Sequence, residues 1–179
     1  MDRRSFIKLS SITGASVAIA AGLAGCVSTK KPQDSASFTH GVASGDPLHN
    51  SVILWTRALP DKNAVNANIL WEVSTSKDFS TLVASDIAQA QQSRDYTVKV
   101  DVSGLNPATR YYYRFKSANS MSEVGTTLTL PKENVSQVTF GVFSCSNYPA
   151  GFFTPYADAA TQQNIDFVLH LGDYIYEYD

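Results

Sequence analysis

Cys145, Asp173 and Tyr176 are the residues of this sequence whose types and spacing suit chemistry. A thiolate and a phenolate stabilise a trivalent metal such as iron, and a carboxylate can bridge two metal ions. Cys145 stands in Ser144-Cys145-Ser146-Asn147-Tyr148-Pro149, directly after the apolar run 138–143. Asp173 and Tyr176 stand in Gly172-Asp173-Tyr174-Ile175-Tyr176, directly after a second apolar run, 165–171. Taken singly, Cys145 reads as a small buried hydrophobe and Tyr176 as a core ring with a polar tip. Taken together at two strand ends, with Gly172 allowing a tight turn, they read as a metal constellation.

The elements between them must bring them together. Phe153, Tyr156, Ala157 and Ala160 fall at i, i+3, i+4 and i+7, which predicts a helix over 152–163. Pro155 fits a first turn, with Thr154 as its cap. Strand, helix, strand over this length is a βαβ unit with parallel strands and a right-handed crossover. Sites in such sheets lie beyond the carboxyl ends of the strands. Cys145 and Asp173, 28 positions apart, are therefore expected to converge.

Residues 38–131 carry a different pattern. Val52-Ile53-Leu54-Trp55 is a compact apolar run. Ile69, Trp71 and Val73 alternate with Leu70, Glu72 and Ser74. Tyr96, Val98, Val100 and Val102 share one face of a strand, and Tyr111, Tyr113 and Phe115 share one face of another. Repeated period two predicts antiparallel sheets with a buried face, in a segment close to the ~100 residues of an immunoglobulin-type sandwich. Trp55 and Trp71 are expected in its core. Gly104-Leu105-Asn106-Pro107-Ala108-Thr109-Arg110-Tyr111 resembles the corner before the sixth strand of fibronectin type III domains, where a tyrosine hydroxyl returns to the preceding turn.

The N-terminus reads as an address. Arg3 and Arg4 precede a weakly apolar Ala/Gly/Ser-rich stretch, so residues 1–25 are expected to be a twin-arginine export signal. Leu23-Ala24-Gly25-Cys26 resembles a lipoprotein processing box, with Cys26 lipidated; cleavage at a nearby alanine is the other reading. Residues 26–37 then form a flexible tether between a lipid anchor and the first domain. Without residues 1–25 the balance is 11 basic against 15 acidic side chains. A lipidated Cys26 leaves Cys145 without a disulfide partner in an oxidising compartment.

Composition narrows the classes. Lys+Arg number 14 against 16 Asp+Glu, a net charge of -2, which argues against a nucleic-acid binder with its basic face. Hydrophobic residues make up 44%, which excludes overall disorder. Two cysteines make no disulfide scaffold, and no apolar run reaches the roughly 20 residues of a membrane-spanning helix.

Three blocks carry a resemblance to a known family. They are Phe38-Thr39-His40-Gly41-Val42-Ala43-Ser44-Gly45-Asp46-Pro47 with Val52-Ile53-Leu54-Trp55-Thr56-Arg57, then Phe143-Ser144-Cys145-Ser146-Asn147-Tyr148, then Leu169-His170-Leu171-Gly172-Asp173-Tyr174-Ile175-Tyr176-Glu177-Tyr178. Residues 38–179 resemble the alkaline phosphatase D (PhoD-like) family. The resemblance implies a mostly β chain: a fibronectin III/immunoglobulin-like sandwich (38–131), then the first βαβ unit of an α/β metallophosphatase domain (137–179). It implies an exported phosphodiesterase and phosphomonoesterase that hydrolyses phosphate esters by metal-activated hydroxide. The implied cofactors are Fe(III) and Ca(II), with Cys145 as iron ligand, Asp173 as metal bridge and Tyr176 as tyrosinate ligand. The implied partners are a phosphate mono- or diester, the Tat translocase and the membrane that holds the lipid. His40, His49 and His170 read as structural or supporting residues.

The chain ends at Asp179, inside the second metal block, and the family's later Asn, Asp and His ligands fall outside it. By itself it is expected to be inactive and to bind these metals poorly. The alternative function is a lipid-anchored, non-catalytic sandwich that binds a partner.

Overall fold

The computed structural model describes residues 30–32, 34–61, 64–147, 149, 151–162, 164–174 and 176. The export signal read at Arg3 and Arg4 and the lipidation read at Cys26 lie outside them. Two units are distinguished, one reaching Lys132 and one beginning at Glu133.

In the first unit the period-two segments become strands. A small pair joins β1 (Ala36–Ser37) to β4 (Leu59–Pro60). One three-stranded sheet runs β2 (Val42–Gly45), β3 (Ser51–Arg57), β7 (Thr97–Ser103). A four-stranded sheet runs β6 (Leu82–Gln91), β5 (Asn66–Ser74), β8 (Arg110–Lys116), β9 (Gly125–Leu128). Every pairing is antiparallel. One buried cluster draws on both sheets: Val52, Leu54, Val98 and Val102 from the first, Ile69, Val73, Tyr111, Tyr113 and Phe115 from the second. Alternating faces of two sheets that share a core make a β-sandwich.

Trp71 packs, partly buried, against this core. Trp55 does not belong to it. After Ser51, which is also buried, the buried residues of β3 are Val52, Leu54 and Thr56, so period two turns Ile53, Trp55 and Arg57 to the other face. The apolar run at 52–55 concealed that alternation.

The predicted corner is present. The Tyr111 hydroxyl accepts a hydrogen bond from the Asn106 backbone N–H at 2.9 Å, and the ring is 1% exposed. Tyr111→Phe leaves that partly buried N–H unpaired, so it is expected to lower the unfolding free energy by about 1–2 kcal/mol. Urea unfolding of the two proteins measures the difference, and equal midpoints would deny the corner any energetic role.

Tyr113, two residues on, is also buried, and its hydroxyl bonds Ser44 of the other sheet. Burial pushes the phenol up to about 12. Its cross-strand partner on β9 is Gly125, where a Cβ would lie 2.3 Å from Tyr113 Cζ. Glycine there leaves the space the ring fills.

In the second unit β10 (Phe140–Phe143) and β11 (Phe167–His170) pair in parallel, with Phe140 opposite Phe167 and Phe143 opposite His170. α1 (Thr154–Thr161) connects them. Both strands are shorter than the apolar runs that announced them. The helix is shorter too, and its cap is Phe153, in left-handed conformation at φ 53, rather than Thr154. Its partly buried positions are Phe153, Tyr156 and Ala159, whereas Ala157 and Ala160 are exposed. The helix starts two residues later than predicted, and Phe153 lies before it in left-handed conformation, so the helical period that assigned the stripe from Phe153 does not apply to that residue. Phe143 packs against Tyr156 with ring centroids 4.8 Å apart, while Val142 and Val168 are exposed. No helix among the described residues is long and apolar enough to cross a membrane.

Candidate functional site

The two loops that leave the parallel strands are joined by backbone hydrogen bonds. Leu171 N donates to Phe143 O at 2.8 Å, Cys145 N to Gly172 O at 3.0 Å and Ser146 N to Asp173 O at 2.8 Å. The pairing thus continues past the strand ends and draws residues 145 and 173 into register. Both sit in the left-handed region, Cys145 at φ 63 and Asp173 at φ 51, with Gly172 at φ 126 between the strand and Asp173. Aspartate tolerates this conformation; cysteine has no local means of offsetting its cost of about 1–2 kcal/mol. The turn brings the Cys145 thiol to within 3.6 Å of Asp173 Oδ2, to which it donates. Ser144 Oγ lies 3.2 Å from the same sulfur.

The Tyr176 hydroxyl completes the group. Its hydrogen bond with Cys145, followed by lost hydration and by the bond and charge of Asp173, holds it well above the ordinary tyrosine range. Three acidic groups thus crowd one point, an arrangement that opposes ionisation of the phenol in the absence of a cation. Asn147 Oδ1, two residues beyond Cys145, is buried with no hydrogen-bond partner among the described residues. Cys145 and Asp173 are exposed and Tyr176 is half-buried, so the point is open to solvent. Among the described residues no cluster of three His, Cys, Asp or Glu side chains could hold a metal; the third donor here is a phenol.

The donors fit a trivalent cation. A soft thiol, a hard carboxylate and a phenol suit iron better than calcium, which takes six or more oxygens.

The histidines stand elsewhere. His40 Nδ1 is 2.9 Å from Thr39 Oγ1, and its Nε2 is 3.1 Å from Arg57 Nη1. The guanidinium only donates, so Nε2 is the acceptor of this contact. Arg57 also bonds the Asp95 carboxylate at 2.7 Å and carbonyl at 3.1 Å, and Thr56 donates to Gly41 O at 2.9 Å. The two segments of the first sequence block, 38–47 and 52–57, therefore meet across β2 and β3 as a structural clasp. His49 is exposed. His170 Nε2 lies 3.0 Å from the Tyr156 hydroxyl, which in turn lies 2.5 Å from Ser146 Oγ. Sequence reasoning placed Tyr156 only on an apolar stripe and gave Ser146 no role.

A sandwich preceding a parallel βαβ unit, with thiol, carboxylate and phenol beyond the strand ends, defines a class of mostly β protein whose polar site lies past the carboxyl ends of two parallel strands. Comparison with known proteins names the family. The N-terminal domain of the PhoD-like phosphatases matches residues 25–131, and the PhoD-like phosphatase domain matches residues 140–179. The chain belongs to the PhoD-like phosphatase family. Alkaline phosphatase D of Bacillus subtilis (strain 168) is 42% identical over 191 aligned residues, covering 99% of this chain and 32% of its own length. A solved structure described as that of PhoD has a TM-score of 0.75 and 44% identity, covering 79% of this chain and 28% of that one. The chain thus spans about a third of the length of the relatives it matches.

Proposed function

We propose that residues 1–179 are the N-terminal part of an exported, metal-dependent phosphatase and phosphodiesterase acting on phosphate mono- and diesters. The observation that carries this reading is the convergence of Cys145, Asp173 and Tyr176 on one solvent-open point, built by two left-handed turns at adjacent strand ends. Identity of 42% to an alkaline phosphatase supports the reaction class. Cys145 and Tyr176 would hold Fe(III), and Asp173 would share it with Ca(II). Bound metal would polarise a phosphoryl oxygen and supply a nucleophile near neutral pH. The chain's own part is to hold three donors together and to leave the site open to an ester. Three donors leave a dinuclear shell short of ligands, so residues 1–179 alone are proposed to be inactive. Arg3 and Arg4 would direct export through the Tat translocase, and Cys26 would carry the lipid that keeps the protein at a membrane.

The test is metal analysis of the complete natural gene product that carries residues 1–179. The expected result is about one iron per chain, hydrolysis of a chromogenic phosphodiester, and loss of both in Cys145→Ala. Full iron retention by Cys145→Ala would refute the ligand assignment. Absence of iron from the unaltered protein would refute the metal-dependent reading.

A further inference from the structure

A hydrogen-bonded chain runs beneath the candidate site without touching its donors. Gly172 N donates to His170 Nδ1 at 3.3 Å. That makes Nδ1 the bare nitrogen, so Nε2 carries the proton and donates to the Tyr156 oxygen at 3.0 Å. The Tyr156 hydroxyl can then give its own proton to Ser146 Oγ, 2.5 Å away, so that all three links run one way. The chain begins at the neighbour of Asp173 and ends at the neighbour of Cys145, passing through α1 on the way. Ring contacts hold its middle member: Tyr156 stacks on His170 at an interplanar angle of 14° and lies against Phe143 and Phe153. His170 also meets Tyr174 edge-on, with centroids 5.1 Å apart.

We infer that Tyr156 and His170 are positioning residues for the metal donors, the Ser146–Tyr156–His170 chain being the side-chain strut that fixes Cys145 against Asp173. The backbone bonds between the two loops set their register. They also restrain the left-handed turns at Cys145 and Asp173, which cost energy and persist only where several surrounding contacts over-determine them. The strut supplies such contacts from the helix side, one residue from each turn. This inference rests on the metal-site reading above, and it assigns functions to residues that ligate nothing.

The experiment measures Fe(III) affinity and the visible phenolate-to-iron absorption band of the complete gene product, in the unaltered protein and in four variants. Tyr156→Phe keeps the ring and removes the hydroxyl. Ser146→Ala cuts the far end without disturbing the ring contacts. Both are expected to weaken iron binding about 10- to 100-fold, the usual cost of losing an outer-shell partner, and to shift the band. His170→Gln retains a donor for Tyr156 and an acceptor for Gly172, so it is expected to stay within a few-fold of the unaltered protein. His170→Phe keeps only a ring and is expected to behave like Tyr156→Phe. Unchanged affinity and band in folded Tyr156→Phe and Ser146→Ala would overturn the inference while leaving the metal site standing. Equal losses in His170→Gln and His170→Phe would also overturn it, since bulk and not hydrogen bonding would then matter. An unaltered protein that takes up no iron would overturn both readings.

Discussion

Gly125→Ala is expected to lower the unfolding free energy of the sandwich by about 2–3 kcal/mol, at the upper end for one extra carbon in a packed core. The new Cβ would fall 2.3 Å from Tyr113 Cζ and 2.6 Å from its hydroxyl oxygen. The ring has nowhere to go. It is 2% exposed, packs edge-on to Phe115 with centroids 6.4 Å apart, and its hydroxyl is tied to Ser44. For a domain of this size the loss corresponds to roughly 10 °C or more in melting temperature. Strand propensity works in the opposite direction: alanine in a strand interior is ordinarily better than glycine by about 0.5–1 kcal/mol. A double-mutant cycle separates the two effects. In a Tyr113→Leu background the clash is gone, and Gly125→Ala is expected to be neutral or stabilising. A Gly125→Ala penalty of the same size in both backgrounds would show that the strain lies in the backbone and not in the ring.

Asp173→Asn is expected to reduce iron affinity of the complete gene product by at least about a hundredfold, exceeding the 10–100-fold typical of outer-shell changes. The choice of asparagine isolates charge from shape. Position 173 is left-handed at φ 51, a conformation that asparagine adopts as readily as aspartate. The bond from Ser146 N reaches the main-chain carbonyl of residue 173, so it survives the substitution. What disappears is the negative oxygen beside the Cys145 thiol. Asp173→Ala would confound the result by adding backbone strain. Isothermal titration with Fe(III), with circular dichroism as the folding control, reads the effect. Affinity unchanged in a folded Asp173→Asn protein would remove the carboxylate from the metal shell.

Much of the sandwich was legible because period two is a local signal. The alternation at 96–102 and 111–115 carries directly into buried faces of β7 and β8, and the corner at 104–111 closes as its residues suggest. Trp55 misled because a continuous apolar run hides which alternate residues turn inward. The meeting of Cys145 and Asp173 was legible from a rule about parallel strand ends, which requires only that both runs be strands. Their left-handed turns were not, since cysteine carries no signal for that conformation. Nor was the strut beneath them. Tyr156 counts as apolar in any periodicity argument, and its hydroxyl gains meaning only when the helix lays it between two loops.

The order of strands in the three-stranded sheet has a consequence in time. β3 pairs with β7 from Ser51↔Ser103 to Arg57↔Thr97, and the whole β5–β6 hairpin lies between them in the chain. Closing so long a loop adds little to the equilibrium cost, because that cost grows only with the logarithm of loop length. It weighs more heavily on the rate, since the pairing must be found before its contacts reward it. The β5–β6 hairpin is therefore expected to form early and the β3–β7 ladder late, with the first sheet completed on the millisecond-to-second scale typical of sandwiches.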